Sequence, residues 1–286
     1  MQAYIRMVES SVDSTIKNLF QDRDFLEVMF GGDKHCTIIG NGSSVYGIRR
    51  SFLGVSFEYY TGDQEPVVER VTGLRVVIWR TMSRITTPQG WYVGARKSKG
   101  TVYAFVDIRN KESYVMEWKR TFRNYVHQWK KQTTYLIKKV DSQSFKNMYC
   151  QFSGAAFSSI SAHGLARNAS LPNVSASYYV LFEKQNEEAV AGVSTIDFLA
   201  SGQSYYYAAF TRKDIAPPQA GLWLCNIWAQ ESSAKGVEYL NLGGVISDSS
   251  PRSWKGFSDF KVKFNPKCLI LAKDFFRVTF SARYPK

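Results

Sequence analysis

Apolar residues at Val12, Ile16, Leu19, Phe20 and Met29 recur at helical spacing, and Gly31-Gly32 stops the run. A helix is therefore expected over residues 12–30. From Thr37 to Phe105 the pattern changes. The runs CTII, VYGI, RVVIW, GWYVGA and TVYAFVDI are β-branched and aromatic, and Asn41-Gly42, Gly62-Asp63 and Thr87-Pro88-Gln89-Gly90 separate them as turns. A second helix is expected from about Ser113 to Gln132. Trp118, Phe122, Tyr125, Val126 and Trp129 form one stripe of it, and Lys119, Arg120, Arg123, Lys130 and Lys131 lie on the other faces. YLIKKV reads as a short strand. Asp141 or Ser142 then caps a helix carrying Phe145, Met148, Tyr149 and Phe152.

Ser175 to Phe182, Ala189 to Ala200 and Gln203 to Phe210 read as three strands, with EKQNEE and SG as hairpin turns. Pro217-Pro218 opens a helix to Lys235, and Gly236 stands where a left-handed residue ends such helices. Val237 to Gly243 is a strand, followed by a loop, a helical segment and the final strands CLILA and FRVTFSA. An antiparallel meander and then a strand–helix–strand crossover predict an α/β sheet with helices on both faces. No internal repeat is visible. Two domains are expected, residues 1–112 and 113–286.

Composition narrows the class. The 286 residues are 44% hydrophobic and 21% charged, which excludes a disordered or fibrous chain. No apolar run approaches the ~20 residues that span a bilayer, and no apolar signal core follows a basic head; a cytoplasmic protein is expected, with the inner face of the membrane as an alternative location within that compartment. Cys36, Cys150, Cys225 and Cys268 form no CxxC pair and read as reduced, buried thiols. His35, His127 and His163 form no HxH or HExxH, so no metal site is expected. The formal charge of +13 favours polyanions as partners, whether nucleic acid, phosphorylated ligands or anionic membrane. Between Arg84 and Lys139 stand 13 Lys and Arg against Asp107, Glu112 and Glu117. With Trp91, Tyr92, Trp118 and Trp129 interleaved, that segment suits an RNA acceptor stem or the diphosphate of a nucleotide- or lipid-linked acceptor; a solvated helix face is the plainer reading.

The element order of the second half resembles the GNAT acyltransferase layout, and several stretches resemble its FemAB-type branch. EAVAGVSTIDFLASGQSYYYAAFTRKD is similar to that branch's central hairpin. LWLCNIWAQESSAKGVEYLNLGGV resembles its helix and the following "lysine-glycine, aromatic, Asn/Asp-Leu-Gly-Gly". GFSDFKVKF resembles its late Phe-Lys-x-x-Phe motif, and EWKRTFRNYVHQWKK the basic helix that opens its second domain. The resemblance covers roughly Glu117 to Asn265 and is weak before that, where TTPQGWYVG and TVYAFVDIRN stand about where a first GNAT domain carries a Pro-Gly turn and a Tyr…Asp strand. It implies a tandem GNAT fold of mixed central sheets flanked by helices. Residues 1–112 would be an acceptor-binding domain and 113–286 would bind the acyl donor. The implied activity is transfer of an acyl or aminoacyl group to a primary amine of a cell-envelope precursor, a peptidoglycan or a polysaccharide or lipid intermediate. The donor would be an aminoacyl-tRNA or an acyl-CoA, used as a co-substrate, with no bound cofactor. A non-catalytic module of the same fold, binding RNA or an anionic envelope ligand, is the rival.

Such a reaction needs a hold on the donor's phosphates, a stabilised oxyanion and a neutral amine. The ordinary CoA cradle, a Gly-x-Gly turn of backbone N–H groups, should fall near residues 210–220. The sequence there is TRKDIAPPQAG, with no Gly-x-Gly and two prolines that remove donors. On the resemblance, Lys261 of Phe-Lys-x-x-Phe stabilises the oxyanion, and Lys263 is the fallback if the register slips by two. Asp107, at the end of an apolar strand, is a candidate to accept a proton from the attacking ammonium or to position it. Arg120 and Arg123, at i and i+3, suit a phosphate or carboxylate. Tyr206 faces oppositely to Tyr205 and Tyr207, and one face lines the acyl site. Gly243 and Gly244 would permit close backbone approach to a ligand. The expected opening is a splayed sheet, between the strands Ala189 to Ala200 and Val237 to Gly243.

Overall fold

The computed structural model describes residues 19, 22–30, 36–41, 45–52, 55–67, 73–81, 86–94, 102–153, 171–245, 255–270 and 273–281. Within them the chain runs α1 (Arg23–Phe30), β1 (Cys36–Asn41), β2 (Val45–Phe52), β3 (Val55–Thr61), β4 (Gly73–Thr81), β5 (Tyr92–Val93) and β6 (Val102–Asp107). Next come α2 (Arg120–Lys131), β7 (Tyr135–Lys139), α3 (Ser142–Phe152), β8 (Val174–Glu183), β9 (Ala189–Phe198) and β10 (Gln203–Thr211). The order closes with α4 (Ala220–Ala234), β11 (Tyr239–Val245), α5 (Lys255–Lys261), β12 (Lys267–Ile270) and β13 (Lys273–Ser281). One sheet is ordered β1-β2-β3-β4-β13-β5 and the other β12-β6-β11-β10-β9-β8-β7.

The chain divides into two compact units, but no single cut at 112/113 separates them. Residues 1–103, 244–256 and 268–286 make the first, and 104–243 with 257–267 make the second. The cause is β13. It pairs antiparallel with β4 over nine residues, from Lys273↔Thr81 to Ser281↔Gly73, so the end of the chain completes the sheet that the beginning opened.

In the first unit, Tyr60, Val77, Trp79, Trp91 and Phe275 pack as one buried cluster. Trp79 meets Trp91 edge-on at 5.3 Å, and its indole N–H donates to the Gly62 carbonyl (2.7 Å). β3 escaped the sequence reading for a physical reason: its polarity is inverted. Glu58 points inward and is buried, while Phe57 points outward and is exposed. Arg49 (2.6 Å) and Arg75 (2.7 Å) both bind the Glu58 carboxylate, and Tyr60 donates to its second oxygen (3.1 Å).

In the second unit, β7 to β10 form the expected antiparallel meander, and α4 carries the crossover to β11, which lies parallel to β10. On one face Phe145 and Tyr149 of α3 pack on Tyr178, Val180, Ala208 and Phe210. Each such ring removed from water stabilises the fold by about 2 kcal/mol. Gly192 permits this, since a Cβ there would stand 2.4 Å from the Phe210 ring. The Asp141 carboxylate caps α3, accepting from the backbone N–H groups of Gln143 and Ser144 (2.9 Å each). On the other face Asp197, buried, accepts from Ser204 (2.5 Å), Ser232 (2.8 Å) and Lys235 (2.5 Å), while Trp228 donates to Ser204 (2.6 Å). Gly236 has φ +89°, as its place after α4 requires.

Three expectations change. The helix over 12–30 is found as α1; residues 12–18, 20 and 21, and the stop at Gly31-Gly32, lie outside the described residues. The helix from Ser113 to Gln132 is broken into a 3-10 turn, Tyr114–Glu117, and α2. Trp118 is extended between them (ψ 153°), because its buried ring stacks edge-on against Phe264 at 4.9 Å. Of the four free thiols, Cys225 and Cys268 are buried, but Cys36 is half-buried and Cys150 is exposed on α3. Among the described residues, no helix is long and apolar enough to cross a membrane.

Candidate functional site

β10 is zipped to β9 along its length, from Gln203↔Phe198 to Thr211↔Ala191. Its pairing with β11 lasts three residues, Gln203↔Tyr239, Ser204↔Leu240 and Tyr205↔Asn241, and then stops. Two sequence features open the pair there. β10 carries a bulge at Tyr207, where its register on β9 shifts between Tyr206 and Ala208. β11 reaches Gly243, whose φ of +74° turns the strand and whose N–H is taken by the Asn241 side chain (2.8 Å). The expected splay is therefore present, and it lies between β10 and β11. The sequence places the opening between Ala189 to Ala200 and Val237 to Gly243, but β10 stands between those two strands.

Lys261, the last residue of α5, is buried beside this opening. A Cβ built on Gly243 would lie 3.8 Å from its Nζ and 3.9 Å from the Tyr205 hydroxyl, so an ammonium and a phenol converge on one glycine. Aromatic packing holds α5 in place. Phe260 and Phe264 stack edge-on at 5.2 Å, and Phe122 of α2 meets them at 5.7 and 4.9 Å. The Lys119 N–H donates to the Lys263 carbonyl (3.0 Å), which ties the start of α2 to the same segment. Burial pushes the Lys261 ammonium down to about 7, against a smaller opposing influence of the Cys225 thiol. That thiol, on α4, is itself pushed up to about 12 by burial. Burial raises the Tyr205 phenol, which keeps its proton as a donor at neutral pH. Asn226, next to Cys225 on α4, is buried as well.

The two lysines of Phe-Lys-x-x-Phe part company. Lys261 faces the splay, while Lys263 is exposed, with Nζ 5.6 Å above the Phe122 ring. Tyr206 tilts against Trp228 (5.9 Å), so the place beside Lys261 belongs to Tyr205. The Tyr205 hydroxyl was missed because the alternation of three tyrosines does not say which face is which. Gly244 is half-buried in β11. Arg120 is exposed. Arg123 is half-buried and donates to the Met116 carbonyl (3.2 Å), with the Phe122 ring between them turned inward. His127 is exposed on α2; His35 and His163 lie outside the described residues.

Asp107 is placed elsewhere. Its carboxylate is held by Arg109 (2.6 Å) and Lys267 (3.0 Å), both of which also lie over the Tyr239 ring, at 5.0 and 5.9 Å. Partial burial raises its pKa, but the Arg109 guanidinium and N–H and the Lys267 ammonium outweigh that and bring it to about 2. Tyr239 begins β11, and Gly243 stands four residues on, roughly 13 Å along the strand. A carboxylate so placed and so neutralised is suited to fastening β6 and not to taking a proton beside Lys261.

The turn before α4 is closed on itself. Ile215 and Ala216 N–H donate to the Arg212 carbonyl, Ala220 N–H to Pro217, and Leu222 and Trp223 N–H to Gln219. The Arg212 guanidinium is bound by Glu188 and Asp214. These N–H groups are spent within the turn and make no pyrophosphate cradle.

This architecture defines a tandem GNAT fold. FemX is similar to the chain at TM-score 0.67 and 10% identity, over 97% of this chain and 96% of that one. The C-terminal domain of a putative lysylphosphatidylglycerol synthetase from Agrobacterium fabrum is similar at TM-score 0.55 and 14% identity, over 97% and 93%. A tandem GNAT protein from the clavulanic acid biosynthesis pathway is similar at 0.52 and 6%, over 100% and 95%. No family profile matches the chain, and no curated protein matches it in sequence. At these identities the likeness establishes the fold, as the resemblance in the sequence implied.

Proposed function

We propose that the chain transfers an aminoacyl or acyl group to a primary amine of a cell-envelope precursor, with Lys261 at the reacting carbonyl. The observation that carries this reading is the convergence of Lys261 Nζ and the Tyr205 hydroxyl on Gly243, where β10 and β11 part. The FemX and lysylphosphatidylglycerol synthetase neighbours support the class of reaction. With no pyrophosphate cradle before α4, an aminoacyl ester of tRNA is favoured over an acyl-CoA.

A lysine brought to about 7 by burial serves both halves of the step. Its neutral amine takes a proton from the acceptor's ammonium and frees the nucleophile. It is then a cation where the oxyanion forms, and a fixed cation in a dry cleft stabilises that charge well. A C–N bond forms, the ester C–O bond breaks, and the leaving oxygen takes a proton, with the Tyr205 hydroxyl placed to hand it over. The net products are an amide, a free hydroxyl and one proton. In this reading Lys261, and not Asp107, accepts the proton.

The test is a transfer assay on the purified chain. Charged tRNA and acyl-CoA are compared as donors, with nucleotide-linked and lipid-linked peptides bearing a free lysine amine as acceptors, read by mass spectrometry. Amide formation from one donor, abolished by Lys261→Ala, is expected. Equal product from the Lys261→Ala protein would sink the reading, as would consumption of neither donor.

A further inference from the structure

Helix α2 gathers its charge on one side. Between Glu117 and Asp141 stand seven Lys and Arg and no acid. Lys138 and Lys139 are answered by Glu187 (3.2 Å) and Glu231. Lys119, Arg120, Arg123, Lys130 and Lys131 have no acid within ion-pair reach among the described residues. At roughly 100° per residue, Arg120, Arg123, His127, Lys130 and Lys131 fall within about 100° of arc and form one stripe about 16 Å long. Arg123 is half-buried and the other four are exposed.

The start of this stripe works against the helix. Arg120 stands in the first turn and Lys119 at the cap, where the helix dipole favours acids, and the Lys119 side chain makes no capping hydrogen bond. Arg120 and Arg123, at i and i+3, repel each other. Lys130 and Lys131, in the last turn, do suit the dipole. A row of cations that its own helix disfavours at one end is accounted for by anions outside the protein.

The surroundings of the stripe select the occupant. A basic amphipathic helix binds a membrane through its apolar face. In α2 that face is already occupied: Phe122 packs on Phe260 and Phe264, Trp129 tilts on Trp223 (5.2 Å), and the Trp223 indole N–H donates to the Tyr125 carbonyl (2.9 Å). Thr121, Asn124 and Gln128, all exposed, border the stripe instead. Cations beside hydroxyl and amide groups suit RNA, whose phosphates meet the former and whose 2′-hydroxyls meet the latter. The stripe also leads to the candidate site. Beside its first turn the Lys119 N–H donates to the carbonyl of Lys263, two residues from Lys261, and the exposed Lys263 adds a cation there, over the Phe122 ring (5.6 Å). We propose that the α2 stripe holds the phosphate backbone of an RNA, with its ester-bearing end directed toward Lys261. The purpose of this contact rests on the transfer reading above; the binding itself does not need Lys261.

The full chain is titrated with uncharged tRNA, read by fluorescence anisotropy, from roughly 50 to 200 mM salt. Binding is expected, weakening as salt is raised. Arg120→Gln, Lys130→Gln and Lys131→Gln together should weaken it at least about ten-fold and flatten the slope of log affinity against log salt by roughly two to three. Lys146→Gln with Lys184→Gln, on α3 and the β8–β9 turn, should leave both unchanged. Arg120→Glu should weaken binding while thermal stability holds or rises, because an acid suits that turn; a purely structural Arg120 would show the reverse. Lys261→Ala should bind uncharged tRNA as the wild type does. A wild type that transfers from acyl-CoA and ignores tRNA overturns the stripe and spares Lys261. One that binds tRNA through the stripe and transfers nothing does the opposite. The proposal is also overturned if the triple variant binds tRNA undiminished, or if the Lys146 and Lys184 pair weakens binding as much. Vesicles with roughly one third phosphatidylglycerol are the last arm. Loss of vesicle binding in the triple variant, with tRNA binding intact, would make a membrane the occupant.

Discussion

The parallel pairs β3/β4 and β10/β11 share one topology and differ in how far they stay closed. Seven registered pairs join β3 to β4, from Val55↔Leu74 to Thr61↔Arg80, and three join β10 to β11. Each pair has a buried charge near it. In the closed pair Glu58 is met by two arginines and a phenol. Beside the open pair, burial has driven Lys261 toward its neutral form. A buried charge answered by opposite charges is a structural element; one whose proton affinity is tuned to neutrality is available for chemistry. The two sheets therefore differ in what removing the charge should do.

The largest effect is expected at Lys261. Lys261→Ala should lower transfer by about three orders of magnitude, through loss of base and cation together. Lys261→Met should do the same to activity yet raise stability. The folded-state pKa of about 7 lies below the ordinary 10.5. Between those values the unfolded chain binds more protons, so wild-type stability rises with pH across that window. Methionine does not titrate and keeps the volume. Its advantage should be greatest below pH 7, on the order of 4 kcal/mol, and fade toward pH 10. Thermal unfolding at pH 6 and pH 9 checks this, and a methionine variant less stable than wild type at pH 6 would break the comparison.

Glu58 should respond with the opposite sign. Glu58→Ala leaves Arg75 buried without its carboxylate, a loss of about 3–5 kcal/mol. Denaturant unfolding measures it. Transfer per folded molecule should not change, and a specific loss of transfer would give the closed sheet a part in the reaction.

The glycines sharpen the contrast at lower amplitude. A Cβ on Gly47 would meet the Tyr60 ring at 2.6 Å and the Tyr59 carbonyl at 2.8 Å, so Gly47→Ala is a packing lesion of about 1–3 kcal/mol. Gly243→Ala meets nothing closer than 3.8 Å, and its lesion is the left-handed backbone, about 1–2 kcal/mol. It also displaces Lys261 and Tyr205 from each other. Transfer should fall about ten-fold or more for Gly243→Ala and stay level for Gly47→Ala, read as initial rates at matched folded protein.

Local pattern carried the second unit well. The strands β7 to β11 were legible because apolar alternation and turn residues agree there; Lys261 was singled out by the resemblance of GFSDFKVKF to a Phe-Lys-x-x-Phe motif, since its local pattern alone reads as a surface lysine on an amphipathic segment. What was illegible depended on partners distant in sequence. β3 hid because a charged residue, Glu58, faces inward to meet arginines on two other strands. The break at Trp118 depends on Phe264, and the choice of Tyr205 over Tyr206 depends on where β11 departs. The return of β13 to β4 left no local mark at all, so a single cut between two domains was the natural expectation from sequence.

Asp107 belongs with Glu58 in this contrast, though it lies in the same unit as Lys261. Its carboxyl is held at about 2 by Arg109 and Lys267, below the ordinary 3.8. The stability it contributes is complete above about pH 4 and is lost as pH falls through 2. With part of the side chain exposed, solvent screening leaves this at about 1 kcal/mol. Asp107→Asn should lower stability by that small amount at pH 7, and the deficit should vanish in acid. If Lys261 takes the proton as proposed, transfer should stay within about two-fold of wild type, and the rise of rate through pH 7 should keep its midpoint. A midpoint that moves in the asparagine variant would return the proton to Asp107 and erase the distinction between an answered charge and a working one.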